Sequence, residues 1–309
     1  MAEQPVVGFI GVGLMGWGMA KNAVEKGYAL RVVAHRKREA VDDLVGRGAV
    51  ECADVAELAR TSDVTVLCVT GAPEVEANIA VIAEHARPGH VIVDTSTSEP
   101  DVTARLATEL AEGGITLIDA PLSRSPAQAW TGELTTFVAG DPATVTRVRP
   151  LLETWASAVI PVDGPAGTAH AIKLVNNLVA LGYAAVWSEC YAMIRKLDVE
   201  PGIFREIVGN SGMNCANFQN FSKYIVEGDP EGHRFTLANA FKDLGYYERM
   251  ATRHGAATLM SDGALQTLKL ALSQGMGERY VPEMVDIVLA LNGDLSTGTD
   301  PAALAKARS

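Results

Sequence analysis

A lysine and two amides lie close together in Lys173-Leu174-Val175-Asn176-Asn177. The surrounding stretch, residues 167–195 (GTAHAIKLVNNLVALGYAAVWSECYAMIR), lacks proline and is apolar nearly all round. Its pattern is helical, so Lys173 and Asn177 share a face one turn apart, with Asn176 at i+3. A helix apolar on every side is expected to be buried, and buried lysine is rare unless it has a partner or a task. Desolvation lowers a lysine pKa toward the range in which it can exchange a proton with a substrate. The alternative is a lysine whose stem lies on apolar surface while its head reaches water. Two neighbouring amides favour the chemical reading.

A second candidate is PLSRSPAQAW, residues 121–130, where Ser123-Arg124-Ser125 lies between Pro121 and Pro126. The guanidinium of Arg124 can make two parallel hydrogen bonds to a carboxylate or sulfonate. A structural salt bridge, for example to Glu133, is the competing role. The third candidate is Gly11-Val12-Gly13-Leu14-Met15-Gly16, which follows an apolar run and opens a helical pattern. In a strand–turn–helix context this spacing binds a dinucleotide: Gly11 permits the turn, Gly13 lets a pyrophosphate approach, and Gly16 lets helix and strand pack. The helix N-terminus then favours phosphate. At the end of the second strand, an NAD site usually has Asp or Glu. Here stand Ala34-His35-Arg36-Lys37-Arg38. Three cations without a carboxylate favour the 2′-phosphate of NADP(H) over NAD(H), the alternative being a solvated basic loop.

The elements that must position these residues alternate. Strand-like runs at 5–11, 30–34, 64–69, 90–95, 115–119, 134–140 and 157–162 are separated by helical segments. Continuous apolar strands in such alternation predict a parallel sheet covered on both faces. After Gly164 the strand runs stop, and helical patterns follow at 167–195, 201–209, 236–254, 261–273 and 282–291. The expected fold is an α/β Rossmann-type doubly wound domain over 1–163, followed by an all-α domain over 164–309. A long interdomain helix of roughly 40 Å joins them.

Bulk composition is that of an ordinary soluble protein able to build a sizeable core. The chain has 309 residues, 48% hydrophobic and 20% charged, and a net charge of −11 that argues against nucleic-acid binding. No apolar run reaches the ~18 residues needed for a membrane-crossing helix. The N-terminus carries no signal-peptide pattern, so a cytoplasmic location is expected. The four cysteines and six histidines show no metal-ligand spacing, so reduced thiols and no metal are expected.

Four blocks together resemble the β-hydroxyacid dehydrogenase family, of 3-hydroxyisobutyrate dehydrogenase type, nearly end to end. They are GFIGVGLMGWGMAKN, DAPLSRSPAQAWTGEL, GPAGTAHAIKLVNN (with Ala169 replacing one glycine) and FKDLGYYERM. The resemblance implies that Lys173 transfers the proton and Asn177 orients it and holds substrate, with Asn176 alongside. It implies that Ser123 binds the substrate carboxylate and that Lys242 closes over the cofactor, positioned by Asp243. It adds Leu14, Met15, Thr70, Thr95 and Ser96 to the glycines, His35 and Arg36 as cofactor contacts. It also implies a homodimer or homotetramer with interlocking helical domains.

One departure stands out. Arg124 occupies a position where the family pattern has glycine, as in the sulfolactaldehyde reductase subgroup. Ser123 is retained, however, and Ala180 lacks the hydroxyl of that subgroup, which favours a carboxylate over a sulfonate. The expected activity is oxidation of a small anionic β-hydroxyacid to its semialdehyde or keto acid, or the reverse. A sulfolactaldehyde-type or other short-chain semialdehyde reductase is the alternative. An imine reductase is disfavoured by Lys173, and a non-catalytic dinucleotide-binding protein by the joint presence of Lys173, Asn177 and Ser123.

Overall fold

The computed structural model describes residues 4–35 and 38–293. The chain divides into two compact units, Met1–Leu174 and Val175–Ser309. The first begins β1 (Val7–Ile10), α1 (Gly16–Glu25), β2 (Leu30–Val33), α2 (Glu39–Gly46), β3 (Val50–Cys52) and α3 (Val55–Thr61). It continues β4 (Val64–Leu67), α4 (Ala72–His85), β5 (Val91–Asp94), α5 (Pro100–Glu112) and β6 (Thr116–Asp119). These six strands form one parallel sheet in the order β3-β2-β1-β4-β5-β6. Every residue of β1, β4 and β5 is buried, as helices on both faces require. Strand order reverses between β1 and β4, so a binding crevice is expected beyond the carboxyl ends of these strands.

The strand β3 is absent from the sequence reading. It is a three-residue edge strand in which Val50 and Glu51 are exposed, so it carries no apolar run to detect. A second difference concerns 134–140 and 157–162, expected in the parallel sheet. They form β8 (Leu134–Val138) and β9 (Ala156–Pro161), which join β7 (Leu122–Ser123) in a separate three-stranded sheet. There β7 and β8 run antiparallel, whereas β8 and β9 are parallel. Burial along β8 alternates, the signature of a strand covered on one face only. Two helices, α6 (Pro126–Thr131) and α7 (Pro142–Leu152), complete this part. The Trp155 ring meets Phe9 of β1 edge-on at 6.3 Å, packing the small sheet into the core of the large one.

The helix α8 (Thr168–Lys196) runs from the first unit into the second, and the division falls within it. It is followed by α9 (Pro201–Gly209), α10 (Ala216–Glu227), α11 (Leu237–Arg253), α12 (Leu259–Ser273) and α13 (Met284–Leu291). Their core gathers Tyr191, Phe218, Phe221, Leu237 and Leu268, all fully buried or nearly so. The sequence reading lacked α10. Its N-cap is Cys215, whose Sγ accepts from Phe218 N at 3.4 Å, and thiol caps lie outside the usual Ser/Thr/Asp/Asn signal.

The expectation that α8 is buried on all sides is corrected. Ile172, Val175, Val179, Tyr183, Val186 and Met193 are each 44–57% exposed. Their spacing of three, four or seven residues places them on one stripe. By length and a mean hydropathy of 1.2, α8 is also long and apolar enough to cross a membrane. The sequence expectation that no apolar run reaches this length is corrected here: polar residues such as Lys173, Asn176 and Asn177 interrupt the helix, but its mean hydropathy stays high.

Candidate active site

The turn after β1 is built for close backbone approach. Gly11 has φ +95°, and a Cβ there would lie 2.2 Å from Cys68 O. A Cβ on Gly16 would lie 2.0 Å from Gly11 O. Both positions therefore require glycine. Gly13 differs: it is exposed, with nothing within 4 Å of its Cβ direction. Leu14 is 56% exposed, and Met15, half-buried, caps α1 without a side-chain bond. An open glycine at an uncapped helix start fits a dinucleotide diphosphate. Desolvation pushes the Cys68 thiol up to about 11, so this neighbouring sulfur is no nucleophile at neutral pH.

Other cofactor candidates lie at the same edge of the sheet. Thr70 is exposed in the loop after β4. Thr95 and Ser96 follow β5 and are 3% exposed. Their hydroxyls serve the backbone: Thr95 Oγ1 donates to Leu67 O at 2.7 Å, and Val69 N donates to Ser96 Oγ at 3.0 Å. Ser96 N in turn donates to Asp94 Oδ1 at 2.9 Å. Beyond β2, His35 is exposed, whereas Arg36 and Lys37 lie outside the described residues. Arg38, the third cation of that run, is held by Glu51 at 2.9 Å and Asp42 at 3.1 Å.

Ser123 ends β7, and Arg124 follows it with φ +86°. This is left-handed backbone that a non-glycine side chain rarely adopts. Arg124 is exposed and, among the described residues, makes no hydrogen bond or salt bridge. Glu133, its expected competitor, instead accepts from Thr131 Oγ1 at 2.8 Å. Ser125 caps α6 in a reciprocal box with Gln128, which fixes the chain directly after the arginine.

On α8, Lys173 is half-buried, Asn176 exposed and Asn177 only 6% exposed. The lysine expected to be buried is thus partly open, on a helix whose apolar stripe is itself uncovered. Asn177 Nδ2 donates to Asp243 Oδ2 at 2.8 Å. Lys242 Nζ meets Asp243 Oδ1 at 2.6 Å and lies 4.8 Å from the Tyr246 ring centre. The carboxylate of Asp243 therefore fixes two candidate residues at once. The sequence reading gave it only the lysine, because the link from 177 to 243 spans separate helices.

The model for the NAD binding domain of 6-phosphogluconate dehydrogenase matches residues 6–164. The model for the NAD-binding region of NADP-dependent 3-hydroxyisobutyrate dehydrogenase matches residues 167–288. The chain is 30% identical to 2-(hydroxymethyl)glutarate dehydrogenase of Eubacterium barkeri, over 95% of this chain and 98% of that one. The chain belongs to the β-hydroxyacid dehydrogenase family. The L-threonate dehydrogenase of Cupriavidus necator is 29% identical, over 88% of this chain and 92% of that one. A 3-hydroxyisobutyrate dehydrogenase structure from Salmonella typhimurium superposes with a TM-score of 0.84 at 25% identity, covering 91% of this chain and 99% of that one. This β-hydroxyacid dehydrogenase is NAD(P)-dependent, with a Rossmann domain followed by a helical domain.

Proposed function

We propose that this dehydrogenase interconverts a small β-hydroxyacid with its semialdehyde or keto acid, prefers NADP(H), and uses Lys173 for proton transfer. The observation that carries the reading is Arg124. It is an exposed guanidinium without a protein partner among the described residues, on strained backbone beside Ser123. Strain of this kind persists where surroundings and function hold it, and a guanidinium suits a planar carboxylate.

The nicotinamide, when bound, accepts hydride in oxidation and supplies it in reduction. Lys173, neutral, takes the hydroxyl proton in oxidation and returns it as ammonium in reduction. Ser123 and Arg124 hold the carboxylate. Asn177, locked by Asp243, orients the lysine one turn back along α8, and Asn176 assists in binding. The Gly11–Gly16 turn holds the diphosphate. His35 and Arg36 serve the 2′-phosphate, and Thr70, Thr95, Ser96 and Lys242 the rest of the cofactor. NADP(H) is supported by the missing carboxylate after β2, whereas the pairing of Arg38 with Glu51 and Asp42 leaves that task to its neighbours.

The decisive experiment is a rate panel with both cofactors against short hydroxyacids that differ in chain length and in the anionic group. The highest kcat/KM is expected for a carboxylate with NADP(H). Equal rates for an uncharged alcohol would overturn the substrate class.

The exposed apolar stripe of α8 supports a homo-oligomer, since an uncovered patch of this kind marks an association surface. Light scattering should give a dimer or tetramer, and Val179→Glu should shift it toward monomer.

A further inference from the structure

Two carboxylates and one imidazole are sealed inside the first unit. Asp94 ends β5, Asp119 ends β6, and the two are paired across the sheet. Both are fully buried, as is His170 in the first turn of α8. Each carboxylate holds a segment already assigned a task. Asp94 Oδ1 accepts from Ser96 N at 2.9 Å and so fixes the turn bearing Thr95 and Ser96. Asp119 accepts from Gly167 N at 2.8 Å through Oδ1 and from His170 N at 2.7 Å through Oδ2. It therefore pins the start of α8, three residues before Lys173.

The ring of His170 lies between these carboxylates. Its Nε2 is 3.9 Å from Asp94 Oδ2, and its Nδ1 is 3.9 Å from Asp119 Oδ2. Nδ1 is also 2.9 Å from Thr103 Oγ1. Thr103 has one hydroxyl hydrogen and a second acceptor for it in Glu99 O at 3.2 Å. The hydroxyl thus either donates to Nδ1, or donates to Glu99 O and accepts from Nδ1. That leaves Nε2 and Asp94 Oδ2 facing each other, both buried and both without another hydrogen-bond partner. Buried polar atoms are normally paired, and a bare imidazole nitrogen facing a bare carboxylate oxygen would set two acceptors against each other. One proton therefore belongs between these two atoms, on Nε2 or on Oδ2.

We propose that His170 is a positioning residue for the reaction: through Asp94 it ties the turn of Thr95 and Ser96 to the helix turn that leads to Lys173. The proposal rests on the reading of Lys173 as the proton-transfer residue. It requires the link from Nε2 to Asp94 more than the contact from Nδ1 to Thr103.

Two substitutions separate these links. In His170→Gln the amide reaches the place of Nε2, whereas in His170→Asn it reaches only that of Nδ1. Turnover, KM for the hydroxyacid and dissociation constants for NADPH are measured well below each variant's melting temperature. His170→Gln should keep kcat within about threefold of wild type. His170→Asn should lose tenfold or more in kcat, with KM and the NADPH constant within about threefold. Equal kcat in the two variants, or a loss confined to binding constants, overturns the proposal, because a merely structural histidine would give that result. If the asparagine variant does not fold, Thr103→Val takes its place. It frees the ring without touching the carboxylates, and it should lower kcat by no more than the glutamine variant does; a larger loss overturns the proposal. Lys173→Ala, assayed beside them, separates the two readings. Retained turnover there overturns the role of Lys173, whereas equal histidine variants overturn the positioning role alone.

Discussion

Asn177 and Asp243 are joined by a 2.8 Å hydrogen bond between groups that are 6% and 3% exposed. The other carboxylate oxygen takes Lys242 at 2.6 Å. An anion that serves two donors cannot be replaced by an amide without turning an NH2 group toward one of them. Asp243→Asn should therefore release either Asn177 or Lys242. A lost charge-assisted bond of this kind is worth about 1.5–3 kcal/mol. We expect kcat/KM to fall by at least tenfold in steady-state assays. Wild-type kinetics in this variant would show that Asp243 supports neither residue.

Lys173 carries the central chemical assignment. Removing the acid–base group should cost about two to four orders of magnitude in kcat. Lys173→Ala should still bind NADPH, as read by fluorescence titration. A variant that keeps a tenth of wild-type turnover would refute the proton role, whatever its affinity for cofactor.

How far the sequence reveals this arrangement depends on the range of each signal. Five of the six Rossmann strands and the glycine turn were legible because they are local: continuous apolar runs, and a spacing whose geometry is met at Gly11 and Gly16. The separate sheet of β7, β8 and β9 was not, since nothing within 134–138 says which neighbour that strand will choose. The exposure of one face of α8 was hidden for a related reason. Apolar residues all round say that each face wants cover, and the chain itself covers only part. The Asp243–Asn177 link and the His170 cluster join residues 66 and 51–76 positions apart. No periodicity or motif spacing spans such gaps.

Cofactor choice rests on the residues after β2. The unmutated enzyme should show higher kcat/KM with NADP(H) than with NAD(H), and Arg36→Ala should narrow the difference. Arg38 gives a control: its guanidinium is already engaged by Glu51 and Asp42. Arg38→Ala should change the NADP(H)/NAD(H) ratio less than Arg36→Ala does. Equal or better use of NAD(H) by the wild type would refute the preference.

Arg124 couples binding to strain, which makes one position testable in two ways. Its backbone stands at φ +86°, and a non-glycine residue in the left-handed region costs about 1–2 kcal/mol. Arg124→Gly and Arg124→Ala both remove the guanidinium, but only glycine releases the backbone. Both variants should raise KM for the hydroxyacid by about tenfold to a hundredfold, matching the ~1.5–3 kcal/mol of a hydrogen bond to a charged group. Neither should weaken an uncharged alcohol or aldehyde analogue as much. Part of the released strain is offset by the greater freedom of glycine in the unfolded chain, about 0.5–1 kcal/mol. Arg124→Gly should thus melt above Arg124→Ala by up to about 4 °C, the shift that about 1 kcal/mol produces in a domain of this size. If the alanine variant is more stable than the glycine variant, the backbone there is not strained. If both variants lose the charged and uncharged substrates equally, the arginine does not read the anion.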